Sequence, residues 1–321
     1  MDFILKYSEQ LAGEIEKVDF PHYPENLYHP LQYFLALGGK RMRPMATILA
    51  GELFGVEFEK TKNTALAVEL FHNFSLIHDD IMDNAPLRRG KQTVHEKWNS
   101  NIAILSGDVL FVKAYELLSK NDSNHLPALL EVFNKTAIEV CEGQQLDMDF
   151  EQKSFVTKDE YIEMIRLKTS VLLGAALKMG AILGDASIEN QQLIYEFGEN
   201  LGIAFQIQDD LLDLYGQPDK VGKQVGGDIL ANKKTLLTIL ARQIATQEEN
   251  NKMNQIFEIN SDKEKVVQII DLFEILKIED KCKTEIKYFY DKSITSLEKI
   301  SDCKSKENLM QLALFLFNRE S

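Results

Sequence analysis

The sequence of 321 residues predicts an all-α protein, and three observations support that fold class. The chain has seven prolines, so long segments can remain helical without interruption. Runs of alternating β-branched residues bounded by turn residues are scarce, which disfavours a β-sheet. The polar breaks are too short and too poor in Pro, Gly and Ser to be interdomain linkers. We therefore expect one helical domain over residues 1–321.

Apolar residues that recur every three or four positions indicate helices along the whole chain. The predicted helices cover residues 2–17, 27–37, 43–55, 60–84, 94–119, 124–150, 158–184, 188–215, 233–247, 262–274, 281–300 and 306–319. Polar breaks are expected at 119–124, 216–228 and 247–255. The longest apolar run, 169–184, contains Lys178 and falls short of the roughly 20 apolar residues of a membrane span. We expect that run to be a helix buried within protein, and we expect no transmembrane segment.

Charge and cysteine content exclude several classes of protein. The formal net charge is −14, from 36 Lys and Arg against 50 Asp and Glu, which argues against nucleic acid as the main partner. The cysteines, Cys141, Cys282 and Cys303, lie far apart without a CxxC pair, so a zinc site of paired thiolates and a disulfide framework are disfavoured. The amphipathic N-terminus lacks the pattern of a signal peptide. These features predict a cytoplasmic protein.

Two aspartate clusters are the main chemical feature of the chain. Both have the pattern DDxxD, at 79–83 and 209–213, and both follow apolar runs. In a helix, the first and last aspartates of each cluster share a face. Such a pair suits Mg²⁺, which takes one or two carboxylates and completes its shell with water and substrate phosphates. A single cluster would often be a solvated helix end, but two copies favour metal binding. An EF-hand calcium loop is excluded because its Gly and its final Glu are missing.

Polar and basic side chains accompany these clusters. His72 and Ser75 continue the helical face of Asp79 and Asp83, which favours a contact with a ligand. Basic residues occur on either side of both clusters in the sequence: Arg88 and Arg89, the loop 38–44, Lys168, Lys223 and Lys233. Together with the two carboxylate clusters they predict a cavity for two polyanions, one bound through metal and one bound directly by Lys and Arg. The loop at 216–224 has the wrong glycine spacing for a P-loop and lacks its Ser or Thr, which disfavours nucleotide phosphoryl transfer.

Six separated blocks of the sequence carry a family resemblance: GGKRMRP (38–44), HNFSLIHDDIMDNAPLRRG (72–90), GQQLD (143–147), KT (168–169), FQIQDDLLDLYG (205–216) and VGKQVGGD (221–228). In their residues and their order, over roughly residues 30 to 240, these blocks resemble the trans-prenyl diphosphate synthases, the polyprenyl synthetases. The resemblance implies the isoprenoid synthase fold, a single helical bundle around a central active-site cavity. It also implies Mg²⁺-dependent condensation of isopentenyl diphosphate with an allylic diphosphate, and a homodimer.

The resemblance also implies roles for individual residues. Three Mg²⁺ ions that bridge the allylic diphosphate would be bound by Asp79, Asp83 and Asp209, supported by Asp80, Asp210, Asp213, Gln144 and Asp147. The same diphosphate would be contacted by Arg88, Lys168 and Lys233, with Lys223 nearby. Isopentenyl diphosphate would be held by Lys40, Arg43, His72 and Arg89. The developing cation would face Thr169 and Gln206, and the released pyrophosphate would accept the proton.

Product length is implied by Phe74, the fifth residue before the first cluster. In the family this position often forms the floor of the product tunnel, and a bulky residue there resembles short-chain enzymes that make C15 or C20 products. The choice between farnesyl and geranylgeranyl products stays open. On the helical wheel Phe74 lies off the Asp79 face and Ser75 lies closer to it, so core packing of Phe74, with Ser75 as the floor, is an alternative.

Three other functions remain alternatives. One is a polyprenyl diphosphate synthase that makes longer products. Another is a terpene cyclase, which pairs a similar first motif with an Asn/Ser/Glu metal motif, so the second DDxxD argues against it. The third is a non-catalytic partner subunit, which would be expected to lack one of the aspartate motifs.

Overall fold

The computed structural model describes residues 2–216 and 226–317 and confirms the all-α class. Its helices are α1 Asp2–Glu16, α2 Glu25–Ala36, α3 Met42–Leu53, α4 Phe58–Met82, α5 Val94–Lys97, α6 Ser100–Leu118, α7 Leu126–Gln152, α8 Lys158–Ile165, α9 Val171–Leu183, α10 Ile188–Tyr215, α11 Gly227–Leu230, α12 Leu236–Ile244, α13 Gln247–Phe257, α14 Asp262–Ile275, α15 Ile278–Glu298 and α16 Lys304–Phe317. A π-helical segment, Arg166–Ser170, joins α8 to α9. The sheet found within the described ranges is an antiparallel hairpin of β1 Leu87–Arg88 and β2 Lys91–Gln92.

Residue packing divides the chain into two compact units. The first unit comprises Met1–Thr136, Leu172–Tyr195 and Ile300–Gln311. Within it, α4 packs along α6 and against α3, and it carries the first aspartate cluster at its C-terminal end. Its aromatic core includes Phe71 and Phe133, which are almost fully buried and meet edge to face. This packing fixes the end of α4, where the acidic side chains lie.

The second unit comprises Ala137–Val171, Glu196–Lys299 and Leu312–Ser321. Its core is built from buried residues of α7, α8 and α11–α15 together with those of α10, the helix that carries the second aspartate cluster. Tyr161, Phe273 and Cys282 are almost completely buried in this core. The single domain expected over the whole chain stays a prediction.

Several element boundaries differ from the sequence-based expectation. The helix expected over 94–119 is interrupted, because the Asn99 side chain accepts a hydrogen bond from the Ile102 amide (2.9 Å) and starts α6 anew. The break expected at 247–255 is wrong, since these residues form most of α13. Thr246 and Glu249 start that helix with a reciprocal capping box, which compensates for its polar composition.

The hairpin was not expected either. Its two-residue turn consists of Arg89 and Gly90, both with positive φ (52° and 74°), as in a type I′ turn. The short helix α11 also begins inside the polar break expected at 216–228 and extends two residues beyond it. In the two described ranges, no helix combines the length and the apolar character that crossing a membrane requires.

Candidate active site

The first aspartate cluster lies on the last turn of α4. Asp83 is the C-cap, and its amide still donates to the Asp79 carbonyl oxygen at 2.9 Å. Asn84 then adopts a left-handed conformation (φ 50°), and the Ala85 amide donates back to the Asp80 carbonyl oxygen at 2.9 Å. The helix therefore ends immediately after the cluster, with Asp79 and Asp83 one turn apart.

Asp80 is the buried member of this cluster, with 1% of its surface exposed. The Arg88 guanidinium donates from Nε to both carboxylate oxygens at 2.9 Å and places Nη2 2.8 Å from Oδ1. Burial raises the pKa of Asp80, and Arg88 opposes that shift. Arg88 Nη2 also lies 3.7 Å from Asp79 Oδ2. This ion pair orients Arg88 toward the aspartates.

Arg89 points to different neighbours from Arg88 because Arg88 ends β1, whereas Arg89 is the first residue of the turn and has a left-handed backbone (φ 52°). Its guanidinium lies against the backbone of Gly39, where a Cβ atom would be 2.8 Å from Arg89 Nη2. Gly39 has φ +143°, so both its conformation and this close approach favour glycine. Partial burial lowers the pKa of Arg89, as does the charge of Arg41. Arg89 therefore faces the 38–44 loop.

The 38–44 loop and His72 form a positively charged cluster with Arg89. Arg43 Nη1 lies 3.3 Å from His72 Nε2, and the exposed Lys40 is on the same loop. The pKa of His72 is well below its ordinary value, because of burial first and then the charge of Arg43 and the neighbouring arginines. A neutral imidazole among guanidinium groups leaves this cluster with a net positive charge, which favours a polyanion. The structure therefore brings together Arg43, His72 and Arg89, three of the four residues expected to hold isopentenyl diphosphate, and Lys40 follows Gly39 directly in the chain.

Sequence reasoning missed a buried ion pair next to this cluster. The Arg41 guanidinium contacts the Glu69 carboxylate, and both residues are buried (7% and 3% exposed). Arg41 Nη2 also donates to the Leu35 carbonyl oxygen at 3.0 Å, and Asn73 Nδ2 donates to Glu69 Oε1 at 2.9 Å. Glu69 lies within an apolar stretch of α4, and a charged residue in such a stretch is the signal that could have identified it.

The second aspartate cluster, on α10, also has a buried member. Asp210 Oδ2 accepts from the Tyr161 hydroxyl at 2.5 Å, and Oδ1 accepts from Gln206 Nε2 at 3.0 Å. Burial, followed by the charge of Asp228, raises the pKa of Asp210 to about 8. Sequence reasoning did not identify Tyr161 as part of this site. Since Tyr161 is fully buried, it supports the position of the cluster from inside the unit.

Lys168 and Thr169 lie in the π-helical segment. Lys168 Nζ is 2.6 Å from Asp147 Oδ2, and the Thr169 hydroxyl donates to Gln206 Oε1 at 3.1 Å. A Cβ on Gly143 would lie 2.2 Å from the Lys168 amide nitrogen, so this glycine allows α7 to approach the segment. The structure therefore places together Asp147, Lys168, Thr169 and Gln206. The Gln144 side chain is half-buried one position after Gly143.

Asp213 connects the second cluster to α11. Its Oδ2 accepts from the Asp228 amide at 2.9 Å, and its carbonyl oxygen accepts from the Gly226 amide at 2.7 Å. Lys233 Nζ lies 3.8 Å from Asp228 Oδ1, which brings this lysine near the cluster. Asp209 is half-buried on the same helix. Lys223, expected near the allylic diphosphate, lies outside the described residues.

Phe74 belongs to an aromatic cluster between α4 and α6. Its ring stacks on Phe111 with centroids 4.9 Å apart and 10° between planes, and it meets His78 edge to face. Ser75 is half-buried, and its hydroxyl donates to the His72 carbonyl oxygen at 2.8 Å. Phe74 therefore faces α6, while Ser75 faces the same side as His72.

The chemistry of the acidic residues fits Mg²⁺ completed by a diphosphate. Across residues 2–216 and 226–317, no group of three or more His, Cys, Asp or Glu side chains is arranged to hold a metal by itself. Mg²⁺ commonly uses only one or two carboxylates and takes its other oxygens from water and substrate phosphates. The pair Asp79 and Asp83 provides carboxylates of that kind at the solvent-facing end of α4. In the second unit, Asp209 provides a further carboxylate on α10.

Comparison with known proteins gives consistent results over nearly the whole chain. The sequence model of the polyprenyl synthetase family matches residues 24–275. The chain is 40% identical to the geranylgeranyl diphosphate synthase of Methanosarcina mazei, across 100% of this chain and 98% of that protein. It is 36% identical to the short chain isoprenyl diphosphate synthase of Methanothermobacter thermautotrophicus, with 100% and 98% covered.

A solved structure agrees with this similarity. The crystal structure of the geranylgeranyl pyrophosphate synthetase from Pyrococcus horikoshii superposes with a TM-score of 0.93 at 37% identity. That match covers 99% of this chain and 98% of the other. Sequence and structure therefore indicate the same group of proteins.

Proposed function

Since the chain belongs to the polyprenyl synthetase family and is a prenyltransferase, we propose that it joins isopentenyl diphosphate to an allylic diphosphate. The allylic diphosphate loses pyrophosphate, and the double bond of isopentenyl diphosphate attacks the resulting carbon cation. Loss of a proton then gives a linear prenyl diphosphate one C5 unit longer. No protein nucleophile is required, and the released pyrophosphate accepts the proton.

The cluster of Arg43, His72 and Arg89 beside the first aspartate cluster is the observation that carries this proposal. The aspartate cluster supplies carboxylates for a metal-bound diphosphate. The cluster of Arg43, His72 and Arg89 supplies guanidinium groups for a second diphosphate. A family member with two diphosphate substrates needs both kinds of site. Lys40 completes the cationic site for isopentenyl diphosphate.

We propose that Asp79, Asp83 and Asp209 hold three Mg²⁺ ions on the allylic diphosphate. Mg²⁺ supplies Lewis-acid stabilisation of the leaving group when it is bound there. The buried Asp80, Asp210 and the helix-linked Asp213 keep the carboxylates in place, with Gln144 and Asp147 as further supports. Direct contacts to the same diphosphate come from Arg88, Lys168 and Lys233, with Lys223 nearby.

Thr169 and Gln206 contribute dipoles on the side of the developing cation. Their mutual hydrogen bond and the link from Gln206 to Asp210 fix both side chains in the second unit. Fixed dipoles require little reorganisation as charge develops, which is the main source of electrostatic catalysis. Together with the Lys168 carbonyl oxygen they would stabilise the cation before it reacts.

A short-chain product of C15 to C20 is the outcome we propose, with Phe74 as the floor of the tunnel. The named products of the relatives in Methanosarcina and Pyrococcus support this range. Longer products remain the main alternative. We further propose a cytoplasmic location, on the cysteine pattern.

We also propose a homodimer. One face of α6 exposes Leu105 (58%) and Val112 (65%), seven residues apart and therefore on the same side of the helix, with Ile104 (42%) beside them. The opposite face of α6 packs in the core of the first unit. A helix that is apolar on both sides needs a second partner, and a second copy of the chain would provide it.

The test is a reaction with isopentenyl diphosphate, Mg²⁺ and each of three allylic diphosphates: dimethylallyl, geranyl and farnesyl. We expect isopentenyl diphosphate to be consumed, pyrophosphate to be released, and EDTA to stop both. A terpene cyclase would release pyrophosphate without consuming isopentenyl diphosphate, and a non-catalytic subunit would do neither. Chromatography of the dephosphorylated products gives the chain length.

Variants of the aspartates test the metal sites within the same assay. Asp79→Ala and Asp209→Ala should each lose most turnover, because a lost metal ligand removes several kcal/mol of transition-state stabilisation. Circular dichroism should show an unchanged helix content. Asp271→Ala, an exposed aspartate on α14, is the matched control and should keep its turnover. Activity within about tenfold of wild type in either cluster variant would contradict the proposed metal sites.

A further inference from the structure

We propose that Glu69 is a positioning residue for isopentenyl diphosphate, and that it acts through Arg41 on the 38–44 loop. This inference rests on the function proposed above, because it concerns the site assigned to Lys40, Arg43, His72 and Arg89. Glu69 does not belong to either aspartate cluster, and it lies ten residues before Asp79 on α4, which is nearly three helical turns.

The geometry links Glu69 to the loop through a single side chain. Arg41 lies between Lys40 and Arg43 in sequence, but its side chain is buried, whereas Lys40 is exposed. The Arg41 guanidinium is held by the Glu69 carboxylate and by the Leu35 carbonyl oxygen. The backbone of Arg41 is left-handed (φ 50°), so this residue also sets the turn that starts α3. The buried contact therefore fixes the loop to α4.

Charge balance explains why a carboxylate is needed at this position. Arg41, Arg43, Arg88 and Arg89 all lie close enough to lower the pKa of His72, so they also repel one another. Two buried carboxylates each compensate one of these arginines: Asp80 pairs with Arg88, and Glu69 pairs with Arg41. Without Glu69, Arg41 would be a buried charge with no opposite charge, which is strongly unfavourable.

Asn73 holds the carboxylate itself in place. It lies one turn after Glu69 on α4, is fully buried, and donates from Nδ2 to Glu69 Oε1 at 2.9 Å and to the Glu69 carbonyl oxygen at 2.7 Å. Glu69 therefore has one orientation, directed at Arg41. Its contacts are to protein groups in the first unit, which is the arrangement of a positioning residue.

The sign of the effect separates positioning from simple electrostatics. Neutralising a carboxylate near an anion pocket should by itself strengthen the binding of a diphosphate, because a repulsive charge is removed. If Glu69 positions the loop, Glu69→Gln should instead weaken binding, since Arg41 leaves its buried place and moves Lys40 and Arg43. We expect the dissociation constant for isopentenyl diphosphate to rise about tenfold, which corresponds to about 1.4 kcal/mol.

The experiment is calorimetric titration of isopentenyl diphosphate into the full chain in EDTA, so that binding is measured without turnover. The proteins are wild type, Glu69→Gln, Arg41→Gln and the double variant. Glu52→Gln is the matched control, because Glu52 accepts a hydrogen bond from Tyr7 in the same unit and lies on α3 nine residues after Arg43. It should bind as wild type does, even if its melting temperature falls.

Weaker binding in both single variants, with no further loss in the double variant, would support the proposal, because residues that act as a pair are not additive. Unchanged or tighter binding in Glu69→Gln would overturn it, as would independent, additive losses. If Glu69→Gln does not fold, the double variant leaves no isolated buried charge and should bind as weakly as Arg41→Gln. A wild type that binds isopentenyl diphosphate but never condenses it would overturn the proposed reaction and leave this test intact.

Discussion

At the scale of single residues, adjacent arginines have different partners. Arg88 donates to the Asp80 carboxylate, whereas Arg89 lies against Gly39 in the 38–44 loop. We expect Arg89→Ala mainly to raise the KM for isopentenyl diphosphate and Arg88→Ala mainly to affect the allylic substrate. Each lost charged hydrogen bond should cost about 1.5–3 kcal/mol. Steady-state kinetics with each substrate varied in turn measures both effects.

The two arginine variants should differ in stability as well. Arg88→Ala leaves the buried Asp80 carboxylate without its partner, so it should lower the melting temperature more than Arg89→Ala does. The kinetic prediction would be contradicted if Arg88→Ala and Arg89→Ala changed the KM for isopentenyl diphosphate and the KM for the allylic substrate to the same extent.

Phe74 gives a second prediction at this scale. Phe74→Ala removes one ring of the Phe74–Phe111 stack and opens space that an apolar prenyl chain can fill. We expect products longer by one or more C5 units, measured by chromatography with isopentenyl diphosphate in excess, and a stability loss of roughly 3 kcal/mol. Phe273→Ala, in the core of the second unit, should lose stability without any change in product length.

An unchanged product distribution in Phe74→Ala would assign this residue to core packing. Ser75 would then be the next candidate for the floor, because it lies on the same side of α4 as His72. Added product should partly restore the melting temperature of Phe74→Ala if the tail occupies the new space.

Residues with a local signal could be identified from the sequence, and their distant partners could not. The DDxxD spacing depends only on neighbouring positions, so helical periodicity alone places its first and last side chains on one face. Tyr161 is 49 residues from Asp210, and Glu69 is 28 residues from Arg41. Nothing in local pattern pairs residues that only the packed helices bring together.

At the scale of elements, the approach of α7 to the π-helical segment depends on Gly143. Gly143→Ala should force the two apart, weaken the contact of Lys168 with Asp147, and lower both activity and stability. Overpacking of this kind typically costs about 1–3 kcal/mol. Chemical denaturation and turnover measured on the same protein preparation test the prediction.

The matched control has the opposite expected sign. Gly13 lies inside α1 with no atom within 4 Å of an added Cβ, so Gly13→Ala should stabilise the protein by about 0.5–1 kcal/mol. If both glycine variants change stability in the same direction, helix propensity rather than packing determines the effect at Gly143.

Element boundaries show where sequence patterns are ambiguous. The π-helical segment was expected as plain helix because its residues, RLKTS, have no feature that distinguishes a π turn from an α turn. The hairpin was missed because each strand has only two residues, too short for alternation to be visible. The π-helical segment and the hairpin both contain residues of the candidate site, and functional sites are where the structure commonly departs from local sequence preferences.

At the scale of the whole molecule, the exposed face of α6 predicts self-association. Val112→Glu places a charge at the most exposed apolar residue of that face, so we expect it to convert a dimer to a monomer in sedimentation experiments. Ile188→Glu changes an apolar residue that is 79% exposed on another helix and should leave the assembly unchanged. A wild-type chain that sediments as a monomer would contradict the proposed homodimer.

The π-helical segment also limits how the gene can vary in length. The Val171 amide donates to the Arg166 carbonyl oxygen, five residues back, so this turn contains one residue more than an α turn does. Deleting one codon here would let a regular α-helix form, but it would rotate Lys168 and Thr169 by about 100° relative to α8. Asp147 and Gln206 would then lose their partners although every other residue was retained. We therefore expect functional variants of this stretch to arise by replacement of residues and not by their deletion.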